Sequence, residues 1–317
     1  MTQQHNSKPA HNIYGADIHG AAIVAITPLE ILDSRGGPTL QVRVQLASGA
    51  SGVARVPAGA STGRHEAVEW RDGDKARFQG RGLLQALAFI KGDITDLLIG
   101  QDATDQLRLD NLLIQLDGSD NKKILGANTL LAVSLAMAHA AAAHHGQPLY
   151  RYVGGATAHT LPVPMMNIIN GGVHADNNID IQEFMIMPVG YTNFSEALRA
   201  GVEIFHALKS LLKTKKLSTN VGDEGGFAPQ LSSAEEALTL LGQAVKTAGY
   251  KEGRDIFYAL DCASTEFFKD GHYQWGGGRE QLTAADMVAM LTKLCDQFPI
   301  LSIEDGMAED DLEGWGL

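Results

Sequence analysis

The second half of the chain alternates short apolar runs with amphipathic segments of helical length, and this pattern limits its fold most. The apolar runs are PMMNIIN (164–170), DIQEFMIMP (180–188), IFYALD (256–261) and ILSIED (300–305). Runs without polar alternation predict strands buried on both faces, and helices between strands favour parallel pairing. The order ββαα and then βαβ predicts a parallel sheet, either in a β/α barrel or in a doubly wound fold.

The first half places its strands before its helices. AIVAITPLEIL (22–32), LQVRVQL (40–46) and GVARVP (52–57) predict an antiparallel meander. Residues 80–100 and the Ala-rich residues 128–146 have helical spacing, with Asn128 as the candidate cap. The pattern predicts an α+β domain over residues 22–155. Residues 1–21 are expected to be a disordered extension, and residues 156–317 the start of the second domain.

Composition excludes several function classes. The net charge of −12 opposes nucleic-acid binding, because an acidic surface repels phosphate. No apolar run approaches the 18 or so residues that a membrane-spanning helix needs, so no membrane span is expected. Cys262 and Cys295 have no metal-ligand spacing and no disulfide pattern. Two unpaired thiols are typical of a reducing compartment, and Cys262 is predicted to be a buried thiol.

Two of the predicted strands end in an acid, at Asp261 and at Glu304. For either residue alone, a helix cap or a turn is the more common explanation. Two such acids on strands joined by one helix favour a shared site, because functional side chains collect at the carboxyl ends of barrel strands. Adjacent carboxylates repel one another unless they are protonated or hold a cation, and hard oxygen ligands suit Mg²⁺.

Other polar groups stand in settings that need an explanation. His174 lies in a Gly-rich loop, and Glu183 lies inside an otherwise apolar strand. Asp223 and Glu224 lie between glycines, and the loop PAGASTGRHEA (57–67) is typical of a segment that moves or wraps a ligand. Each has an ordinary alternative: a surface histidine, an outward-facing strand residue, or an acid that only bonds its turn. Jointly they indicate a polar site at the strand ends.

Seven segments resemble enolase (phosphopyruvate hydratase), in the order found in that family. They are LDSRGGPT (32–39), GASTG (59–63), NGGVHA (170–175), QEFMIMP (182–188), NVGDEGGFAP (220–229), LDCASTEFF (260–268) and SIED (302–305). The resemblance implies an enolase-like N-terminal α+β domain, followed by an incomplete enolase-type β/α (TIM-like) barrel. It also implies the Mg²⁺-dependent, reversible dehydration of 2-phosphoglycerate to phosphoenolpyruvate, in glycolysis and gluconeogenesis.

The resemblance assigns roles position by position. It implies that Asp261 and Glu304 ligate the first of two Mg²⁺ ions and that Ser61 helps to hold the second. Glu224 is expected to be the general acid. Glu183 and His174 are expected beside the substrate and its leaving group, with Gln182 nearby. Neighbouring acids and loop closure are expected to make protonation of the two glutamates easier.

The resemblance also sets an expectation about completeness. The family's third carboxylate ligand, its two active-site lysines and its phosphate-binding His-Arg pair have no counterpart by motif in this sequence. We therefore expect an incomplete barrel in a C-terminally truncated chain. The alternative to an active enolase is a catalytically inactive fragment that associates through its N-terminal domain. By resemblance, a cytoplasmic homodimer is expected, with a surface or secreted pool as a further location.

Overall fold

A computed structural model of the chain describes residues 20–59 and 62–317. The described residues form two compact units: residues 20–59 and 64–159 make the N-terminal unit, and residues 62–63 and 160–317 make the C-terminal unit. Most of the expected N-terminal extension, through residue 19, and the predicted metal ligand Ser61 lie outside the described residues. Ala21, which the sequence placed in that extension, is fully buried.

The N-terminal unit contains the predicted antiparallel meander. Its strands are β1 (Ile23–Leu32), β2 (Pro38–Leu46) and β3 (Ser51–Val56), in the order β1-β2-β3. Both pairings are antiparallel, and β2 buries alternate residues as its sequence pattern predicts. The β1–β2 turn is fixed by Asp33, whose Oδ1 accepts hydrogen bonds from the N–H groups of Arg35 and Gly37 at 2.9 and 2.7 Å.

Helices cover one face of this meander. They are α1 (Leu84–Phe89), α2 (Thr95–Leu98), α3 (Gln106–Asp117), α4 (Ala127–His144) and α5 (Leu149–Gly154), with a π-helical turn at Ile90–Ile94 between α1 and α2. The Ala-rich α4 approaches β3 closely, since a Cβ at Gly52 would lie 2.2 Å from the backbone nitrogen of Ala140. Small residues on both elements permit this approach, which explains the alanine run.

The predicted cap at Asn128 is wrong. Gly126 caps α4, and Asn128 lies inside the helix. The side chain of Asn128 instead accepts a hydrogen bond from the backbone N–H of Trp70 at 2.9 Å and donates one to its carbonyl at 3.3 Å. A long-range partner therefore holds this amide, and the local sequence could not show that partner.

The C-terminal unit is built on a four-stranded sheet in the order β10-β6-β5-β4. Its strands are β4 (Met166–Asn170), β5 (Glu183–Met187), β6 (Phe257–Asp261) and β10 (Ile300–Glu304). The predicted parallel sheet is confirmed only between β6 and β10. β5 runs antiparallel to both of its neighbours, which corrects the prediction for that strand. No crossover helix separates β4 from β5, so nothing returns the chain to make them parallel.

Three long helices complete this unit: α6 (Phe194–Thr214), α7 (Ala234–Thr247) and α8 (Ala284–Gln297). The spacing of Ser233 and Glu236 is typical of a capping box at the start of α7, and the structure contains half of it. Ser233 accepts from the N–H of Glu236, but the carboxylate of Glu236 accepts from Ser232 instead. The reciprocal capping box belongs to α8, between Thr283 and Asp286.

A small antiparallel sheet lies between β6 and α8 and was not predicted. It consists of β7 (Phe268–Lys269), β8 (His272–Trp275) and β9 (Glu280–Leu282). After β10, the chain ends in the short helix α9 (Leu312–Gly316). Within the described ranges, no helix combines the length and the apolar character that crossing a membrane requires.

Candidate active site

One rung of the four-stranded sheet carries a polar side chain on every strand. Asn170 at the end of β4 pairs with Glu183 at the start of β5. Glu183 pairs in turn with Asp261, and Asp261 pairs with Glu304. Paired residues present their side chains on the same face of a sheet, and strands are about 4.8 Å apart. The four side chains therefore form a row about 14 Å long, which we call the polar row.

The Asp261 carboxylate has a fixed orientation within the polar row. Its Oδ1 accepts from the backbone N–H of Ala263 at 3.0 Å, and its Oδ2 accepts from Nε2 of Gln182 at 2.9 Å. The middle of the strand before it is buried, and the strand is followed by the buried Cys262, whose N–H donates to the carbonyl of Glu304. The thiol of Cys262 is buried as predicted, and burial raises its pKa.

His174 lies against Glu183. Its Nδ1 is 3.2 Å from Oε1 of Glu183, a distance that allows an ion pair if the imidazole is protonated. The angles do not make a hydrogen bond, and neither ring nitrogen has a hydrogen-bond partner among the described residues. His174 is 5% exposed, so the imidazole is a buried group beside a carboxylate.

Negative charge concentrates along the polar row. Burial, followed by the charges of Asp261, Glu224 and Glu304, raises the pKa of Glu183 to about 7. The pKa of Glu304 is also raised, by burial first and then by the charges of Asp261 and Asp305. Burial and the charge of Asp261 raise the pKa of Asp305 as well. Glu183, Glu304 and Asp305 therefore hold a proton more readily, because they are shielded from water and because their neighbours are acids.

Glu224 lies on an exposed, glycine-flanked turn that runs along the edge of β4 in space. The N–H of Gly222 donates to the carbonyl of Gly226 at 2.8 Å, and the N–H of Asp223 donates to the carbonyl of His174 at 3.0 Å. The turn is thus tied to the loop that carries His174. Glu224 is close enough for its charge to act on Glu183, although its side chain is exposed to solvent.

Sequence reasoning did not identify Asn170 as a site residue. It is fully buried, and neither polar atom of its side chain has a hydrogen-bond partner among the described residues. Oε1 of Gln182 and Oγ of Ser264 share this property. The available signal was position, because Asn170 ends an apolar strand directly before Gly-Gly, just as Asp261 and Glu304 end theirs.

The fit of a divalent cation depends on the carboxylates at the β6–β10 end of the row. Asp261 and Glu304 are in register on adjacent parallel strands, and each supplies hard oxygen donors of the kind that Mg²⁺ prefers. Their mutual repulsion, seen in the raised pKa of Glu304, is relieved by a cation. Over the two described ranges, no three His, Cys, Asp or Glu side chains form a ready metal-binding group. The two carboxylates fit a cation as part of its ligand set.

The fold and the polar row first define a class: an α+β domain joined to an incomplete β/α barrel with an acidic site at one end of its strands. Comparison with known families then identifies the group within that class. The N-terminal domain of enolase matches residues 23–153, and the C-terminal TIM barrel domain of enolase matches residues 158–317. The chain belongs to the enolase family.

Proposed function

We propose that this chain acts on 2-phosphoglycerate, dehydrating it reversibly to phosphoenolpyruvate with Mg²⁺. One observation carries the proposal: Glu183, Asp261 and Glu304 lie in register on one rung of the sheet. This arrangement places a proton-carrying carboxyl group beside two carboxylates suited to a cation. Family membership supports the choice of reaction.

In this proposal, Asp261 and Glu304 hold the first Mg²⁺, and Ser61 contributes to a second. Bound Mg²⁺ would stabilise the negative charge that builds on the substrate carboxylate when a base takes the proton from the neighbouring carbon. The family's active-site lysines have no counterpart by motif in this sequence, so in this chain a solvent base takes that proton. Gln182 orients Asp261 through its hydrogen bond to Oδ2, so that one carboxylate is aimed before the cation arrives. Gln182 also has a free oxygen, Oε1, with which it can accept a hydrogen bond from substrate.

The acid side of the reaction falls to Glu224, Glu183 and His174. Loss of the hydroxyl group as water requires a proton donor, and we assign that donor to Glu224. Burial and the neighbouring acids raise the pKa of Glu183 to about 7, so Glu183 carries a proton in about half of the molecules at neutral pH while no cation is bound. It can therefore donate a hydrogen bond to the leaving hydroxyl group, where an ionised carboxylate could only accept one. His174 lies against Glu183 and completes this end of the site.

The test is a spectrophotometric assay for phosphoenolpyruvate with purified chain, 2-phosphoglycerate and MgCl₂. Glu224→Gln is compared with Asp223→Asn, because both acids are exposed neighbours on the same turn. Loss of a general acid should lower kcat by roughly 10²–10⁴-fold in the first variant, while the second stays near the unmodified rate. No turnover by the unmodified chain, or equal losses in both variants, would reject the assignment.

The proposal extends to cellular context. Two free cysteines support a reducing, cytoplasmic location. Family membership supports a role in glycolysis and a homodimer, which light scattering on the purified chain can measure. If the chain associates but shows no turnover, the inactive, associating form becomes the better description.

A further inference from the structure

Asn170 is the one member of the polar row to which the proposed reaction gives no role. Its relative exposure is 0%, and neither Oδ1 nor Nδ2 has a hydrogen-bond partner among the described residues. A buried polar group without a partner costs about 1–3 kcal/mol. The carboxamide forms no hydrogen bond within the described residues, so its presence needs an explanation.

The surroundings hold the Asn170 side chain in place without bonding it. Its backbone is satisfied, because its N–H donates to the carbonyl of Phe227 and its carbonyl accepts from Nδ2 of Asn177. Two glycines of the Glu224 turn pack directly on the side chain. A Cβ at Gly222 would lie 2.8 Å from its Cβ, and one at Gly226 would lie 2.5 Å from its Oδ1. Any larger residue at either glycine would displace the carboxamide.

The carboxamide adds a kind of hydrogen bonding that the rest of the row lacks. Ionised carboxylates only accept hydrogen bonds, whereas Nδ2 of Asn170 donates two and Oδ1 accepts. The amide of Gln182 already donates to Asp261. Asn170 is therefore a free neutral donor beside Glu183, and an anionic ligand or a hydroxyl group needs such a donor in an acidic site.

We propose that Asn170 is a substrate-binding residue of this site and that its carboxamide binds the hydroxyl end of the substrate. Asn170 lies two strand spacings from Asp261, or about 10 Å between backbones. The side chains of Asn170 and Asp261 occupy part of this distance, and the space left between them suits a three-carbon acid. The carboxylate of that acid would lie beside Asp261 and Glu304. This inference rests on the proposed function.

The chain offers a matched control on the same strand. Asn167 lies three residues earlier on β4, and both polar atoms of its side chain are also buried without a partner. It pairs with Met185 and lies outside the polar row. The two asparagines share residue type, strand and lack of partners. They differ in their relation to the site and in burial, since Asn167 as a whole is only partly buried.

The experiment is calorimetric titration of 2-phosphoglycerate, in MgCl₂, into the unmodified chain, Asn170→Ala, Asn170→Asp and Asn167→Ala. Asn170→Ala is expected to weaken binding about tenfold, which corresponds to the loss of one or two hydrogen bonds. Asn170→Asp should weaken it further, because it removes the donor and adds a negative charge. Asn167→Ala should bind like the unmodified chain. Thermal unfolding without ligand should show Asn170→Ala no less stable than Asn167→Ala.

Each other outcome counts against the inference. Equal binding by Asn170→Ala and the unmodified chain overturns it and leaves the proposed function intact. A large drop in unliganded stability for Asn170→Ala, with binding lost in parallel, makes Asn170 a structural residue and also overturns it. Absence of binding by the unmodified chain refutes the proposed substrate, and the assignment of Asn170 falls with it.

Discussion

Tyr273 holds the segment that follows the proposed ligand Glu304, and its removal gives a quantitative test of the C-terminal unit. The side chain is fully buried on β8. Its hydroxyl donates to Oδ2 of Asp311 at 2.6 Å and accepts from the backbone N–H of Ala308 at 3.1 Å. The indole N–H of Trp315 donates to the carbonyl of Ala308 at 3.0 Å, so one phenol anchors this whole segment.

The cost of Tyr273→Phe follows from these two bonds. Ala308 is 2% exposed, and its N–H would lose its partner without gaining water, which costs about 1–3 kcal/mol. The bond to the Asp311 carboxylate contributes about 1.5–3 kcal/mol, reduced here because Asp311 is partly exposed. The ring itself stays, so no cavity term is added. We expect the free energy of unfolding of the C-terminal unit to fall by about 2–4 kcal/mol.

Urea unfolding measures this loss, which is a large fraction of the roughly 5–15 kcal/mol that holds a typical domain together. Hydrogen exchange at the indole N–H of Trp315 reports on the segment itself and should accelerate. Tyr150→Phe is the matched control, because Tyr150 is 60% exposed, and its free energy of unfolding should change by less than about 0.5 kcal/mol. A change for Tyr273→Phe as small as that of the control would refute the reasoning.

Two further predictions follow. Asp261→Ala should weaken Mg²⁺ binding in calorimetry by more than the roughly 10–100-fold loss expected for a residue that only orients a ligand, because Asp261 is itself a proposed ligand. Asp296→Ala, at an exposed acid, is the control. Unchanged Mg²⁺ affinity in Asp261→Ala would show that Asp261 is no ligand. In the N-terminal unit, the hydrogen bond from Arg77 lowers the pKa of Glu30. The Glu30–Arg77 pair therefore stabilises the fold fully above the ordinary glutamate pKa, and this stabilisation is lost as the pH falls through the lowered pKa of Glu30. Urea unfolding of Glu30→Gln should therefore depend less on pH below about pH 4.3 than unfolding of the unmodified chain, and parallel profiles would contradict this account.

The sequence predicted elements better than it predicted their partners. Period-two alternation in residues 40–46 correctly predicts a half-buried strand, because burial alternates along β2 itself. Asn128 was assigned wrongly, since its partner, Trp70, lies 58 residues away. The strands β7 to β9 were missed because they are only two to four residues long, although Asp270-Gly271 is a recognised hairpin signal.

The sequence predicted only part of the site, again because some of its contacts come from residues far away in the chain. Apolar runs that end in Asp261 and Glu304 indicate an acidic edge, because two parallel strands end together. Asn170 was overlooked because an asparagine before two glycines is usually a turn residue. Its burial and its lack of a hydrogen-bond partner depend on Gly222 and Gly226, which the fold brings from more than fifty residues away.

The direction of β5 is what brings Glu183 into the site. Had β5 been parallel to β6, as predicted, Glu183 at its start would lie at the opposite edge of the sheet from Asp261. Four residue steps at about 3.3 Å would then separate the two along the strand direction, or about 13 Å. The antiparallel direction instead pairs Glu183 directly with Asp261. Burial is the largest cause that raises the pKa of Glu183 to about 7, and that pairing adds the next largest, the charge of Asp261. The reversed strand therefore sets the chemistry of the site as well as its shape, because it adds a proton-holding carboxyl group to a row that otherwise suits only a cation.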